Sequence, residues 1–184
     1  MKTVIYISAF SAIALPGAAN AQAYVQAQAG LDSVSAQGVS SEGVAFGVAA
    51  GYEVPFEGGI FVGVEASVDD STTKDCESNV LVLNDTVCAK SGRDLAAVIR
   101  VGTKMGERGK LYLLGGYTNA RLKVSYTSGA FSDTAAANAD GFRLGAGYQH
   151  DFGDNLFGKV EYRYSNYESD FSRHNGIVAV GVRF

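Results

Sequence analysis

Long apolar runs are scarce in this sequence. The one candidate for a helical membrane span, residues 4–15, falls short of the roughly 20 residues that a bilayer-crossing helix needs, and no second candidate follows it. Helical membrane proteins are excluded. Basic charge is also in short supply: 15 Lys and Arg stand against 19 Asp and Glu, for a formal net charge of −4. The Lys/Arg excess of a nucleic-acid-binding surface is missing. Histidine occurs only as His150 and His174, and cysteine only as Cys76 and Cys88. Two thiols without a nearby His or third Cys make a poor zinc site. Two histidines leave little room for a His-based catalytic centre. Proline is limited to Pro16 and Pro55.

What is present begins with an export signal. Lys2 precedes the apolar stretch 4–15, Pro16 and Gly17 break it, and Ala19-Asn20-Ala21 or Ala21-Gln22-Ala23 offers a small-x-small cleavage site. Residues 1–21 are expected to be removed, by cleavage after Ala21 or after Ala23. Residues 22–184 then remain as one domain. An exported chain passes through an oxidising compartment, so Cys76 and Cys88 are expected to form a disulfide.

Beyond residue 21 the dominant period is two, which is strand spacing. Eight runs show it: 23–32, 43–54, 60–69, 94–103, 111–126, 141–152, 156–167 and 174–184. Short connections (55–59, 104–110, 153–155) alternate with longer polar ones (33–42, 70–93, 127–140), and the last, 168–173, is the shortest of the longer set. That alternation predicts a meander with tight turns on one rim and loops on the other. Within the second run Val44, Phe46, Val48, Ala50, Tyr52 and Val54 share one face, while Ala45, Gly47, Ala49, Gly51 and Glu53 share the other. The third and sixth runs repeat the division.

In a soluble barrel the greasy face would point inward. Here the opposite face carries Gln26, Gln28, Glu65, Arg100, Arg143, Lys159, Glu161, Arg163 and Arg183, charges of both signs at mid-strand. They suit an inverted barrel, apolar toward lipid and polar toward the lumen. Eight strands enclose only enough space for side chains to fill, so a plugged interior is expected. Glu65, Arg100, Arg143, Glu161 and Arg163 are its expected charge network, because unpaired buried charges cost several kcal/mol each. Glycines 63, 102, 116, 145, 147 and 181 are expected to make room for these long side chains. Tyr52, Phe56, Tyr112, Phe152 and Phe157 near the short turns, and Tyr126, Phe142, Tyr164 and Tyr167 near the long loops, are expected to form two interfacial belts.

The stretch DGFRLGAGYQHDFGDNLFGKVEYRYSNYESD (140–170), the earlier VIRVGTKMGERGKLYLLGGY (98–117) and the closing GIVAVGVRF (176–184) resemble the small bacterial outer-membrane β-barrel family that includes the OmpA barrel domain, OmpX, Ail and the opacity-type surface proteins. The resemblance implies an all-β fold: an eight-stranded antiparallel up-and-down transmembrane barrel in the bacterial outer membrane. It also implies contact with outer-membrane lipids and lipopolysaccharide, assistance by periplasmic chaperones and the barrel-assembly machinery, and Phe184 as part of the assembly signal. The cell-wall tethering of larger relatives is not carried over.

Chemistry is sparse. Some eight-stranded outer-membrane barrels modify lipid A, but Arg163 stands in RYSNYE (163–168) where the His of a deacylase is needed, and an arginine cannot serve as base. GERGK (106–110) lacks the glycine spacing of a phosphate loop. Asp69, Asp70, Asp75, Glu77 and Asp85 are a candidate cation cluster without EF-hand spacing. NVLVLND (79–85), between the cysteines, reads as a short hairpin. The expected protein is a monomeric, cofactor-free, non-enzymatic surface barrel whose loops serve envelope integrity or contact a host or cell-surface ligand. A narrow pore is the main alternative, and a lipid A-modifying enzyme a lesser one.

Overall fold

The computed structural model describes residues 22–36, 39–78, 85–128, 131–168 and 171–184. The signal-like segment, Asp170 and nearly all of the 79–85 stretch lie outside the described residues. Nine strands follow in order: β1 (Gln22–Ala36), β2 (Val39–Pro55), β3 (Ile60–Ser71), β4 (Lys74–Ser78), β5 (Asp85–Met105), β6 (Gly109–Ser128), β7 (Phe131–Asp151), β8 (Leu156–Tyr167) and β9 (Phe171–Arg183).

All pairings are antiparallel, and each long strand pairs with the one before and the one after it. β3 joins β5 directly, from Ile60↔Thr103 to Asp69↔Asp94. β1 pairs with β9 through Val25↔Val182 and Ala29↔Val178. Eight strands therefore close on themselves, which removes the free edges of an open sheet. The short β4 takes over beside β5 where β3 has ended, with Cys76 opposite Cys88.

Inside and outside follow the period of two. In β3 Val64 is 56% exposed and its neighbour Glu65 4%; in β9 Val178 is 59% exposed and Ile177 3%. Large apolar side chains thus cover the outer wall while charges fill the centre, the inverse of a water-soluble fold. No helix among the described residues is long and apolar enough to cross a membrane; the strands supply the span. Tight turns close one rim, where Gly58, Gly59 and Gly106 take positive φ values of 78°, 82° and 72°, a region that side chains with a Cβ rarely enter. Pro55, which has no amide hydrogen to give a ladder, ends β2 at this rim.

The opposite rim corrects the expected loops. Residues 127–140 are not a polar loop: β6 and β7 stay paired from Gly109↔His150 up to Ser128↔Phe131. Most of 33–42 is paired as well, through Ala36↔Val39, and 85–93 belong to β5. Strands of 20 and 21 residues in β6 and β7 far exceed the ~10 that cross a bilayer, so these hairpins stand beyond the apolar wall. Beyond the wall the outer half of β6 pairs with both β5 and β7, as at Lys90↔Lys123 and Lys123↔Ala136, whereas residues 131–140 of β7 pair with β6 alone. Residues 132–138 of β7 are exposed on both faces, so no hydrophobic alternation marks them in the sequence.

Candidate functional site in the charged lumen

The inward-facing charges form one connected column. From the short-turn rim upward, Lys110 Nζ lies 2.8 Å from Glu53, Glu53 lies 2.9 Å from Arg100, and Arg100 lies 3.6 Å from Glu65. Glu65 accepts from Lys159 Nζ at 2.8 Å, and Lys159 lies 3.3 Å from Glu161. Glu161 pairs with Arg163, which lies 3.4 Å from Asp69, and Asp69 lies 3.9 Å from Arg143. Arg143 then meets Asp94 at 2.5 Å, Arg173 meets Asp94 at 3.2 Å, and Arg173 donates to Asp32 at 2.6 Å. Six carboxylates alternate with six cations, so the interior is neutral while nearly every charge touches two of opposite sign. That is the arrangement in which buried ions recover their desolvation cost.

Glu65, Arg100, Glu161 and Arg163 meet in the middle of this column. Arg143 sits a tier higher: its Nε donates to Ser165 Oγ at 2.9 Å, and only Asp69 links it to the central group. Glu53, Lys110, Asp32, Asp94 and Arg173 belong to the same column although they stand near the ends of the alternating runs. Their signal in the sequence is parity alone, an inward position continued past the last apolar neighbour. Asp69 is likewise an inward residue of β3 and not part of a loop cluster, whereas Asp70 beside it faces outward. No group of His, Cys, Asp and Glu suited to a metal ion occurs among the described residues.

An aromatic floor supports the column, and it corrects the expected belts. Tyr112 and Phe157, 2% and 1% exposed, point into the lumen, as does Tyr167 at 2%. Four of the inward rings lie over a glycine directly opposite on the next strand, Tyr24 over Gly51, Phe61 over Gly102, Tyr112 over Gly147 and Phe157 over Gly181, and Tyr167 faces Gly141 on the strand before it. A Cβ on Gly147 would collide with the Tyr112 hydroxyl oxygen, and one on Gly181 with the Phe157 ring. These glycines thus make room for rings; Gly145, by contrast, borders Leu114. Arg100, fully buried, places its guanidinium carbon 4.0 Å from the Tyr112 ring centre and 5.5 Å from that of Tyr24, a desolvated cation–π arrangement. The hydroxyls complete the floor: Tyr24 donates to Glu65 at 2.7 Å and Tyr112 to Glu161 at 2.6 Å. Gly147→Val should therefore destabilise the barrel by about 1–3 kcal/mol through overpacking. Denaturant unfolding of the refolded variant measures this, and Gly153→Val, at a turn where a Cβ meets nothing, is the control.

The histidines stay away from this lumen. His150 lies 5.3 Å from the Phe152 ring near the short-turn rim. His174 shares a 2.6 Å hydrogen bond with Tyr162 Oη and packs 5.0 Å from the Tyr164 ring on the outer wall. Cys76 and Cys88 form the expected disulfide.

A closed sheet of eight membrane-crossing strands, apolar outside and ion-paired inside, defines a transmembrane β-barrel. The chain belongs to the outer membrane protein beta-barrel domain family, which it matches over residues 3–184, and its place is the bacterial outer membrane. No curated protein sequence matches it. Among solved structures it is similar to Ail, the attachment invasion locus protein of Yersinia pestis, in complex with the heparin analogue sucrose octasulfate (18% identity, TM-score 0.63, covering 89% of this chain and 98% of that one). It is also similar to Neisserial surface protein A (16%, 0.58, 88% and 97%) and to a major outer membrane protein of Thermus thermophilus (14%, 0.56, 89% and 99%). At these identities the likeness is one of fold.

Proposed function

We propose that the protein is a closed surface barrel: neither a conduit nor an enzyme, but a rigid anchor that holds paired hairpins above the outer leaflet for envelope integrity or contact with other surfaces. The observation that carries this reading is the unbroken alternation of charge from Lys110 to Asp32. An ion crossing the lumen would have to part at least one buried pair at every tier, and each parting leaves charges without partners in a low-dielectric interior. On this reading the tight turns face the periplasm and the long hairpins the exterior, as the usual design of these barrels has it. Surface contact also suits the likeness to Ail, which is named for attachment. Against enzymatic chemistry, among the described residues neither His150 nor His174 stands with an orienting acid and a nucleophile, as acyl-transfer sites require.

Planar-bilayer recording tests the closed lumen. Purified, folded protein should give no steady conductance steps; regular steps that change size in Glu65→Ala or Arg143→Ala would replace this reading with that of a narrow pore.

A further inference from the structure

The disulfide between Cys76 and Cys88 crosses the β4–β5 ladder at the surface, with Cys76 exposed and Cys88 half-buried. Residues two apart on a strand share a face, so Lys74 stands beside Cys76 and Lys90 beside Cys88. Lys74 is directly opposite Lys90, and Lys90 directly opposite Lys123 on β6. Three exposed ammonium groups therefore form a row across three strands, on the same face as the sulfurs. Like charges placed so are mutually destabilising, and none of the three is ion-paired among the described residues. The lumen cations, by contrast, all have carboxylate partners. The row beside the disulfide is left open.

A hollow of about 430 Å³ adjoins this row, lined by Lys74, Lys90, Cys88, Ser125, Phe46 and Asp70 among others. Cys88 borders it and Cys76 does not. Asp70 is the one carboxylate of the lining, and its Oδ1 already accepts from the Ser71 amide at 2.8 Å. A small molecule in the hollow thus meets two ammonium groups, one carboxylate and one sulfur of a disulfide. The balance of charge there favours an anion. The bond at stake is also structural, because it ties the five-residue β4 to β5.

We propose that Cys88 is a site of thiol–disulfide exchange selective for small thiols that carry a carboxylate. The incoming thiolate, with its carboxylate against Lys74 and Lys90, forms a bond to Cys88 Sγ. The Cys76–Cys88 bond breaks, and its electron pair leaves on Cys76 Sγ as a thiolate beside the Lys74 ammonium, which favours the departing charge. One disulfide replaces another, so the external thiol is the only co-reactant. The product carries a mixed disulfide at Cys88 and a free thiol at Cys76. Its new carboxylate gives the lysine row the counter-ion that the fold leaves out, and β4 loses its covalent tie to β5. The inference is independent of the proposed function, since it holds whether or not the lumen conducts.

The test uses the refolded, disulfide-bonded protein in detergent micelles, with mercaptopropionate, mercaptoethanol and cysteamine as anionic, neutral and cationic thiols. Each rate is divided by that of the same thiol with a neutral model disulfide, which removes differences in thiolate fraction and intrinsic nucleophilicity. Maleimide alkylation stops the reaction and traps the freed thiol, and peptide mapping by mass spectrometry reads which cysteine carries which group. Mercaptopropionate should react on the order of tenfold faster than mercaptoethanol, the scale of two exposed ion pairs, and cysteamine should be the slowest. The thiol adduct should sit on Cys88 and the maleimide on Cys76. K74Q/K90Q should bring the three rates together, and K74E/K90E should reverse their order. K104Q/R108Q, altered at the opposite rim, should behave like the wild type. Heat-modifiable gel migration checks that each variant is folded. Absence of exchange in the wild type, equal rates for the three thiols, an order unchanged in either Lys74/Lys90 variant, or an adduct mainly on Cys76 would each overturn the proposal.

Discussion

Glu65→Ala should destabilise the folded barrel by about 3–5 kcal/mol, the range for removing one partner of a buried charge network. Glu65 is 4% exposed, accepts from Tyr24 Oη at 2.7 Å and Lys159 Nζ at 2.8 Å, and lies 3.6 Å from Arg100 and 3.7 Å from Arg163. Its loss leaves three cations and a phenol facing a gap. Arg100 retains Glu53, and Lys159 retains Glu161, so the lower end of the range is expected. Glu65→Met combined with Lys159→Met should recover much of the loss, because both charges leave together and apolar groups occupy their volume. The chain has no tryptophan, so far-ultraviolet circular dichroism or heat-modifiable gel migration in a urea series must follow the unfolding. A single-variant effect below about 1 kcal/mol would show that water, and not the ion pairs, satisfies the centre of the lumen.

Deletion of Phe184 should sharply reduce the amount of folded protein in the outer membrane while hardly changing the stability of barrels that do assemble. The residue is 74% exposed on the outer wall, and its one structural tie beyond packing is the amide that donates to Ala23 O at 2.9 Å. Losing a single backbone hydrogen bond costs on the order of 1 kcal/mol, too little to account for failure to accumulate. A large fall therefore points to recognition during assembly, the role implied by the family resemblance. Quantitative immunoblotting of outer-membrane fractions, set beside urea unfolding of protein refolded in vitro, separates the two effects. Equal accumulation with and without Phe184 would remove the residue from the assembly signal, and equal loss in both assays would make it a structural strut.

The apolar wall and the lumen differ in how legible they are. Val62, Val64, Ala66 and Val68 against Phe61, Gly63, Glu65 and Ser67 reveal strand, face and inversion together, because one face meets lipid and the other meets charge. Above the wall that contrast disappears. The paired residues 132–138 look like a loop because both of their faces meet water, and an alternating pattern needs two unlike solvents. Tyr112, Phe157 and Tyr167 are misleading for another reason: an aromatic near a strand end suits an interface belt or a lumen floor equally well. The glycine facing it across the ladder decides between them, and that partner is set by register.

Determined by the sequence alone, then, are the class, the even number of membrane strands, the inward identity of Glu65, Arg100, Arg143, Glu161 and Arg163, and the pairing of the only two cysteines. Period two encodes which face a residue takes, and composition encodes which medium that face meets. The tertiary structure alone decided which charges touch, that Asp94 serves both Arg143 and Arg173, and that Lys74, Lys90 and Lys123 align across three strands. These depend on register and closure, which bring together residues tens of positions apart in the chain, and no local pattern carries that information.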